Sequence, residues 1–402
     1  MSVFLLPPDV LRVGEPTPFA LRDRAGCLLI PRGTLVASDD QLQQLAARDL
    51  YVDDQDGEAL RRAIAGKLDS MVRKNALIGQ MAKARPDTFD VQAAKGGARK
   101  LDDPLGTLSS LQMRTSALLR DPAQADFAAR LMRVQANLAE LLDADADAAL
   151  FLLVHGATNE FHDYNVRHAM LVAAVCELAA RHVPTWSDAW RPSLRCAALT
   201  MNVAMTQLQN QLVTQEAPPS DEQRAQIDAH ASAGAAAMRA AGVRDELWLG
   251  AVEHHHTTPP AALANLPAAQ QLARMIQRAD IFAARLSPRK RRTALSATAA
   301  AKAVYLDENQ QPDEAGSAII KAIGLYPPGS LVRLRSGEVA VVLRRGRRGT
   351  QPAVASIVNP AGHAIAEPST RDTRLAASEV TGGVAPHEVK VRLNPERLLK
   401  LM

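Results

Sequence analysis

The chain has 402 residues, of which 47% are hydrophobic and 22% charged, and this globular balance excludes wholesale disorder and a collagen-like fibre. Its length favours two or three domains. Cys27, Cys176 and Cys196 form no CxxC pair, which excludes a disulfide framework and a cysteine-based zinc site and favours a reducing compartment. The net charge of +4 is too small to indicate nucleic-acid binding by itself.

Residues 1–54 are predicted to form a small β-rich accessory domain. Residues 19–33 have the pattern of two strands joined by a turn at 23–26. Ser38 is expected to cap a short helix that ends at Leu45, and a further strand is predicted at 50–52.

Residues 55–107 are predicted to be a connector. Apolar residues have helical spacing over 58–82, and prolines, glycines and charged residues indicate a linker over 84–106. Neither a signal peptide nor a run of about 18 apolar residues is found. The sequence therefore predicts a cytoplasmic protein without a membrane span.

The fold class predicted is mainly α. Residues 108–324 have helical periodicity and are expected to form an all-α bundle, for which abundant alanine and only 3% aromatic residues are well suited. The period changes over 325–402, which are predicted to be a small β appendage. A hairpin is expected to turn at 336–337, with further strands at 354–358 and 389–393.

Two further features of the sequence, one in the β appendage and one in the helical region, have ordinary explanations. The arginines at 344, 345, 347 and 348 are expected in a surface loop, and they have no interleaved aromatic residues that would indicate nucleic-acid binding. The apolar stripe over 108–153 indicates either internal packing or the seam of a homodimer.

Histidines in the helical region indicate a metal site. His168 and His230 lie on separate predicted helices, three histidines are consecutive at 254–256, and Asp280 lies on a later helix. Helical bundles hold metal ions with imidazole and carboxylate ligands directed inward from separate helices. The remaining five histidines are expected to be ordinary core or surface residues.

Residues 164–342 resemble the HD-GYP family, the HD-domain phosphohydrolases that cleave cyclic di-GMP in bacteria. The positions that match the family's metal ligands are His168, His230, His254, His255 and Asp280. Residues 197–205 fall on the family's Ala-Ala-Leu-Leu-His-Asp-Ile-Gly-Lys, and residues 323–342 resemble its C-terminal hairpin closely. The resemblance implies an HD-type bundle with a centre of two divalent cations.

The sequence departs from the family at the residues that carry its chemistry. The name-giving His-Asp pair is Met201-Asn202, and the lysine that follows is Met205. The glutamate after the paired histidines is His256, and residues 257–260 replace the Gly-Tyr-Pro loop.

These departures predict a catalytically inactive protein, in which no catalytic residue is assigned. Two dications about 4 Å apart need bridging anions. Asn202 brings no charge, and the thioether of Met201 suits hard or borderline ions poorly. The remaining set could hold one divalent ion, Fe, Mn or Zn, and no other cofactor is predicted. His256 is either a chance neighbour or an alternative ligand for that ion.

Three functions stay open. The first is a binding or scaffold module of cyclic di-GMP signalling, which binds the nucleotide or a partner protein without cleavage. The second is an active metal-dependent cyclic di-GMP phosphodiesterase with an altered site. The third is an interaction protein that has lost nucleotide binding.

Arg289 and Arg292 have two explanations. They fall on family positions associated with ligand phosphate, and a guanidinium fork matches phosphate oxygens. Charge runs of this kind are also common as solvated helix ends.

Overall fold

The computed structural model describes residues 103–402 except 125, 160–161, 258–260, 308 and 347–348, and in the N-terminal part residues 3–6, 11, 17, 19–31, 34, 38–46, 49–53 and 56–57. The helix predicted over 58–82 lies outside the described residues, as does most of the linker predicted over 84–106. The chain divides into two units, residues 1–100 and 101–402. The division into segments at 54, 107 and 324 stays a prediction.

The N-terminal unit contains a four-stranded antiparallel sheet. Its elements are β1 Val3–Leu5, β2 Leu21–Arg22, β3 Leu28–Ile30, α1 Asp39–Ala46 and β4 Tyr51–Asp53, with strand order β1-β4-β2-β3. Asp23 forms the turn after β2, because its side chain accepts hydrogen bonds from the backbone N–H groups of Ala25 and Cys27. Ser38 accepts from Gln41 N at 3.2 Å, as the helix cap requires. The predicted strands, turn and helix are confirmed here.

The second unit is mainly helical, which confirms the predicted fold class. Its helices are α2 Pro104–Arg120, α3 Phe127–Asn159, α4 Tyr164–Ala180, α5 Arg191–Thr200, α6 Thr206–Thr214, α7 Asp221–Ala240, α8 Glu246–His254, α9 Ala268–Leu286, α10 Ala297–Tyr305 and α11 Glu314–Ile323. Helix starts carry the expected polar caps: Ser220 and Gln223 form a reciprocal capping box before α7, and Asp245 caps α8.

Helix α4 lies at the centre of this unit. All of its residues except Arg167 are buried, and it packs against α3, α5, α6, α9 and α11. A helix that is apolar on every side needs such a complete cover. The stripe over 108–153 is buried in the same core, so internal packing explains it.

The fully buried carboxylate of Glu177 on α4 is held by three arginines. Arg181, Arg191 and Arg195 all donate to it, and the first two lie on either side of the α4–α5 connection. Burial alone would raise the pKa of Glu177, but these hydrogen bonds and charges outweigh it and lower the pKa. The ion pairs therefore fix α5 against α4.

The C-terminal appendage is a five-stranded antiparallel sheet. Its strands are β5 Leu331–Leu334, β6 Val339–Arg344, β7 Ala353–Val358, β8 Ala364–Asp372 and β9 Val380–Val384, in the order β8-β7-β6-β5-β9, and α12 Pro395–Leu399 follows. The hairpin at 336–337 is confirmed, with Gly337 at φ +88 where a side chain would be strained. The strand at 354–358 is also confirmed.

Two expectations about this appendage are wrong. Residues 389–393 pair with no strand; Val389, Val391 and Leu393 instead pack on the helical core, which explains their alternation without a ladder. Arg344 is the last residue of β6 and not part of the loop, whereas Arg345 begins the loop, and the two pair with Asp145 and Asp147 at the kink of α3. Residues 347–348 lie outside the described residues. No helix in the described part of the chain is long and apolar enough to cross a membrane.

Candidate functional site

Three imidazole rings converge at the C-terminal end of α8. His230 lies on α7, whereas His255 and His256 follow directly after α8. The Nε2 atom of His230 lies 3.1 Å from Nε2 of His255 and 3.2 Å from Nε2 of His256. His230 and His255 are buried, and His256 is exposed. This group, here called the histidine cluster, contains no carboxylate and no thiolate.

The two buried rings of the histidine cluster are oriented by backbone carbonyls. Nδ1 of His230 meets the carbonyl oxygen of Ile227, and Nδ1 of His255 meets that of Val252 at 2.7 Å. A carbonyl oxygen can only accept, so both Nδ1 atoms carry the ring hydrogen. Burial lowers the pKa of His230 and, with the nearby His256, lowers the pKa of His255 to about 3. Both rings are therefore neutral at pH 7, and their Nε2 atoms are acceptors.

A second group joins α4 to α9. His168 donates from Nε2 to Oδ1 of Asp280 at 2.6 Å, and the ring of Tyr164 stacks on His168 with its hydroxyl 3.5 Å from Nδ1. Burial opposes ionisation of Asp280, but the hydrogen bond from His168 and the charge of that ring outweigh it and lower the pKa of Asp280 to about 2. We call His168 and Asp280 the acidic pair, and Tyr164 is the tyrosine that stacks on it.

The positions that depart from the family offer no ligand set for a second ion. Met201 is fully buried in the hydrophobic core, directly after α5. Asn202 and Met205 are half-buried. His254, which ends α8, is not a member of the histidine cluster. The four histidines and one carboxylate that match the family's ligands thus fall into a His168–Asp280 pair, a His230–His255 pair and a separate His254.

These residues do not fit a centre of two cations. Such a centre needs an anion between the ions, and the carboxylate of Asp280 is already bound to His168. Met201 provides only a thioether enclosed by core side chains. No reaction step through paired cations is therefore derived for this chain.

Arg289 and Arg292, here called the arginine pair, lie beside Tyr164 at a tight backbone turn. Arg289 and Arg292 exchange backbone N–H to carbonyl hydrogen bonds of 2.9 Å in both directions, which places the two side chains on one face. Arg289 donates to the Tyr164 hydroxyl at 3.2 Å and lies 5.7 Å from its ring centroid. Arg292 donates to the carbonyl of Ala284.

This arginine pair is not neutralised by the protein. The Nε atoms of Arg289 and Arg292 are buried without a hydrogen-bond partner, and neither guanidinium meets a carboxylate within the described residues. Burial, and next the charge of Arg289, lowers the pKa of Arg292. Two adjacent cations with unused donors favour an anionic ligand.

Sequence reasoning missed Tyr164, although a signal existed: it precedes His168 by four residues and so lies on the same helix face. The sequence is compatible with His256 as either a chance neighbour or a ligand, and the structure places it within the histidine cluster. Its exposed position after the end of α8 could not be read from helical periodicity.

The fold and the site define a mainly α protein with a histidine cluster and an arginine pair. No family model matches the chain, and no curated protein matches it. Among solved structures it is similar to Bd1817, an HDG"Y"P protein from Bdellovibrio bacteriovorus, with 14% identity and a TM-score of 0.41, over 80% of this chain and 99% of that chain. At this distance the similarity supports no statement about function.

Proposed function

We propose that this protein is a degenerate HD-GYP-like module that binds cyclic di-GMP without cleaving it. The observation that carries the proposal is the arginine pair, whose buried Nε atoms have no acceptor. A phosphate group would satisfy both guanidinium groups and offset their mutual repulsion, because each fork can donate two parallel hydrogen bonds to phosphate oxygens. The motifs over residues 164–342 support a cyclic dinucleotide as the source of that phosphate.

Absence of cleavage follows from the residues at the family's catalytic positions. Hydrolysis by paired cations depends on a bridging water activated between them. Met201 packs in the core, Asn202 carries no charge, and Met205 supplies no cation near the phosphate. The nucleotide would then act as a signal that changes how the module binds a partner protein, which is the role expected of a scaffold.

Calorimetric titration with cyclic di-GMP tests binding. We expect saturable binding by the full chain, which Arg289→Ala and Arg292→Ala each weaken by about 10-fold, the loss of roughly one charge-assisted hydrogen bond. Arg291→Ala is the matched control, because Arg291 is exposed on the same turn and has no contact with Tyr164. Equal affinity of the Arg289, Arg292 and Arg291 variants would show that the arginine pair does not contact the nucleotide and consists of solvated charges. No binding at all would favour an interaction protein that has lost nucleotide binding.

A metal-dependent phosphodiesterase with an altered site is a second candidate. The histidine cluster favours it, because catalytic zinc sites commonly use three protein ligands and leave a fourth position open. Chromatography of the nucleotide after incubation with protein and Mn²⁺, Fe²⁺ or Zn²⁺ separates the two. Turnover at rates of order 1 s⁻¹ or more, as enzymes show, would establish the second candidate and overturn the first.

A further inference from the structure

Residues 389–393 form an extended segment of the C-terminal appendage that pairs with no strand. Val389 and Asn394 at its two ends have β dihedral angles, and exposure alternates along it, with Lys390 and Arg392 exposed. Within the described residues, none of the backbone N–H and C=O groups of 390–393 has a hydrogen bond. A row of unpaired groups on an extended backbone is an edge to which another strand can add.

This segment lies along a surface cleft of about 420 Å³. The cleft is lined by residues 388–391, by Arg333 and Val339 of the β5–β6 hairpin, and by residues of the turn between β7 and β8. Its volume falls within the range of about 300–1,000 Å³ that is typical of ligand clefts in proteins. The buried Val339 and Val358 make part of its lining apolar. The cleft is therefore large enough for a short extended peptide.

Unpaired cations border the cleft. The appendage, residues 325–402, carries twelve lysines and arginines against six aspartates and glutamates. Four of its arginines pair with acidic side chains of the same appendage and two with the helical bundle. In contrast, Arg333, Lys390 and Arg392 meet no carboxylate in the described part of the chain. The carboxylate in the lining, that of Glu388, accepts from a backbone N–H at 2.8 Å. The cleft therefore favours an acidic occupant.

We infer that this cleft binds an extended peptide segment of a partner protein, in which acidic and apolar residues alternate. The peptide adds as a strand along 390–393, and its backbone satisfies the unpaired groups there. Because side chains alternate along a strand, its acidic residues lie opposite Lys390 and Arg392, and its apolar residues continue the apolar side formed by Val389 and Val391.

Two features favour a peptide over single-stranded nucleic acid. No aromatic side chain of the described residues lines the cleft, so bases have nothing on which to stack. A sugar–phosphate backbone also lacks the alternating donors and acceptors that a strand edge pairs with. The inference does not depend on binding of cyclic di-GMP.

Fluorescence anisotropy of a labelled peptide with the full chain tests this cleft. The probe is a seven-residue peptide of alternating glutamate and valine with blocked ends, and its counterpart with lysine for glutamate is the control. We expect saturable binding of the acidic peptide alone, weakened by salt. Lys390→Glu should weaken binding by about 10-fold, whereas Lys400→Glu, the same charge reversal at an exposed lysine outside the cleft, should change it by less than about 2-fold. No binding, or equal effects of the two substitutions, would overturn the inference.

N-methylation of the peptide tests strand addition itself. Successive N–H groups of a strand point to opposite edges, so methylation at the glutamates blocks one edge and methylation at the valines blocks the other. Only one of the two methylated peptides should bind, and equal behaviour of both would overturn strand addition. Tighter binding of a thymidine oligonucleotide, or dimerisation in sedimentation, that Lys390→Glu abolishes would assign the cleft to nucleic acid or to a second copy and overturn the inference as well. Circular dichroism of each variant checks that it is folded.

Discussion

The acidic pair and the histidine cluster lie on neighbouring helices but are opposite in their chemistry. In the first, His168 donates to the ionised Asp280, so donor and acceptor satisfy each other. In the second, two buried imidazoles present acceptors to one another. A closed pair stabilises the fold by itself, whereas an array of acceptors needs a proton or a cation. Residues that match the ligand positions of one family can thus fall into two groups with different hydrogen-bonding chemistry.

Introducing a histidine at position 201 is the change with the largest expected effect. Met201→His places an imidazole in a fully buried apolar position, so we expect the free energy of unfolding to fall by about 2–4 kcal/mol in urea denaturation. Met205→Lys, at a half-buried position, is the control and should cost less than about 1 kcal/mol. A stable Met201→His variant that binds two Zn²⁺ would show that the histidine cluster can be extended to a paired centre.

Removing the charge of the acidic pair should affect stability and leave metal binding unchanged. Asp280→Asn leaves the buried His168 without its anionic partner, and we expect a loss of about 1–3 kcal/mol at pH 7. Zn²⁺ affinity, measured by calorimetry, should stay within about 2-fold of the unmodified protein. A large fall in affinity would make Asp280 a ligand and remove the distinction between the two groups.

The same pair predicts an acid-dependent loss of stability. The pKa of Asp280 is lowered in the folded chain from 3.8 to about 2, so its contribution is complete above about pH 4 and disappears as the pH falls through 2. The shift corresponds to about 2 kcal/mol. The difference in unfolding free energy between the unmodified protein and Asp280→Asn should therefore shrink over this pH range. A difference that is constant from pH 5 to pH 2 would contradict this.

The smallest expected effect concerns the tyrosine that connects the acidic pair to the arginine pair. Tyr164→Phe removes the hydroxyl to which Arg289 donates and keeps the ring that stacks on His168. We expect cyclic di-GMP affinity to fall by about 2- to 5-fold through looser positioning of Arg289, with stability changed by less than about 1 kcal/mol. Zn²⁺ binding should be unaffected. Unchanged nucleotide affinity would remove Tyr164 from the positioning of the arginine pair.

Local patterns were reliable where each element has its own signal. Ser38 and the turn at Asp23 were recognised from capping and turn chemistry. The alternation of apolar residues over 389–393 predicts a strand that does not form. An extended segment that packs against the helical core buries every second residue, as a strand does, but needs no hydrogen bonds to a neighbouring strand. Strands β8 and β9 were missed, since β8 is largely exposed and β9 contains two glycines.

The sequence by itself determined the mainly α class and the order of the site residues, because helical periodicity and motif order are properties of the chain alone. Only the tertiary structure decided which of those residues meet. Helix α8 ends at His254, so the following turn directs His255 and His256 toward His230. Packing of α4 against α9 closes His168 on Asp280. Distances between side chains on separate helices depend on that packing, which no local pattern encodes.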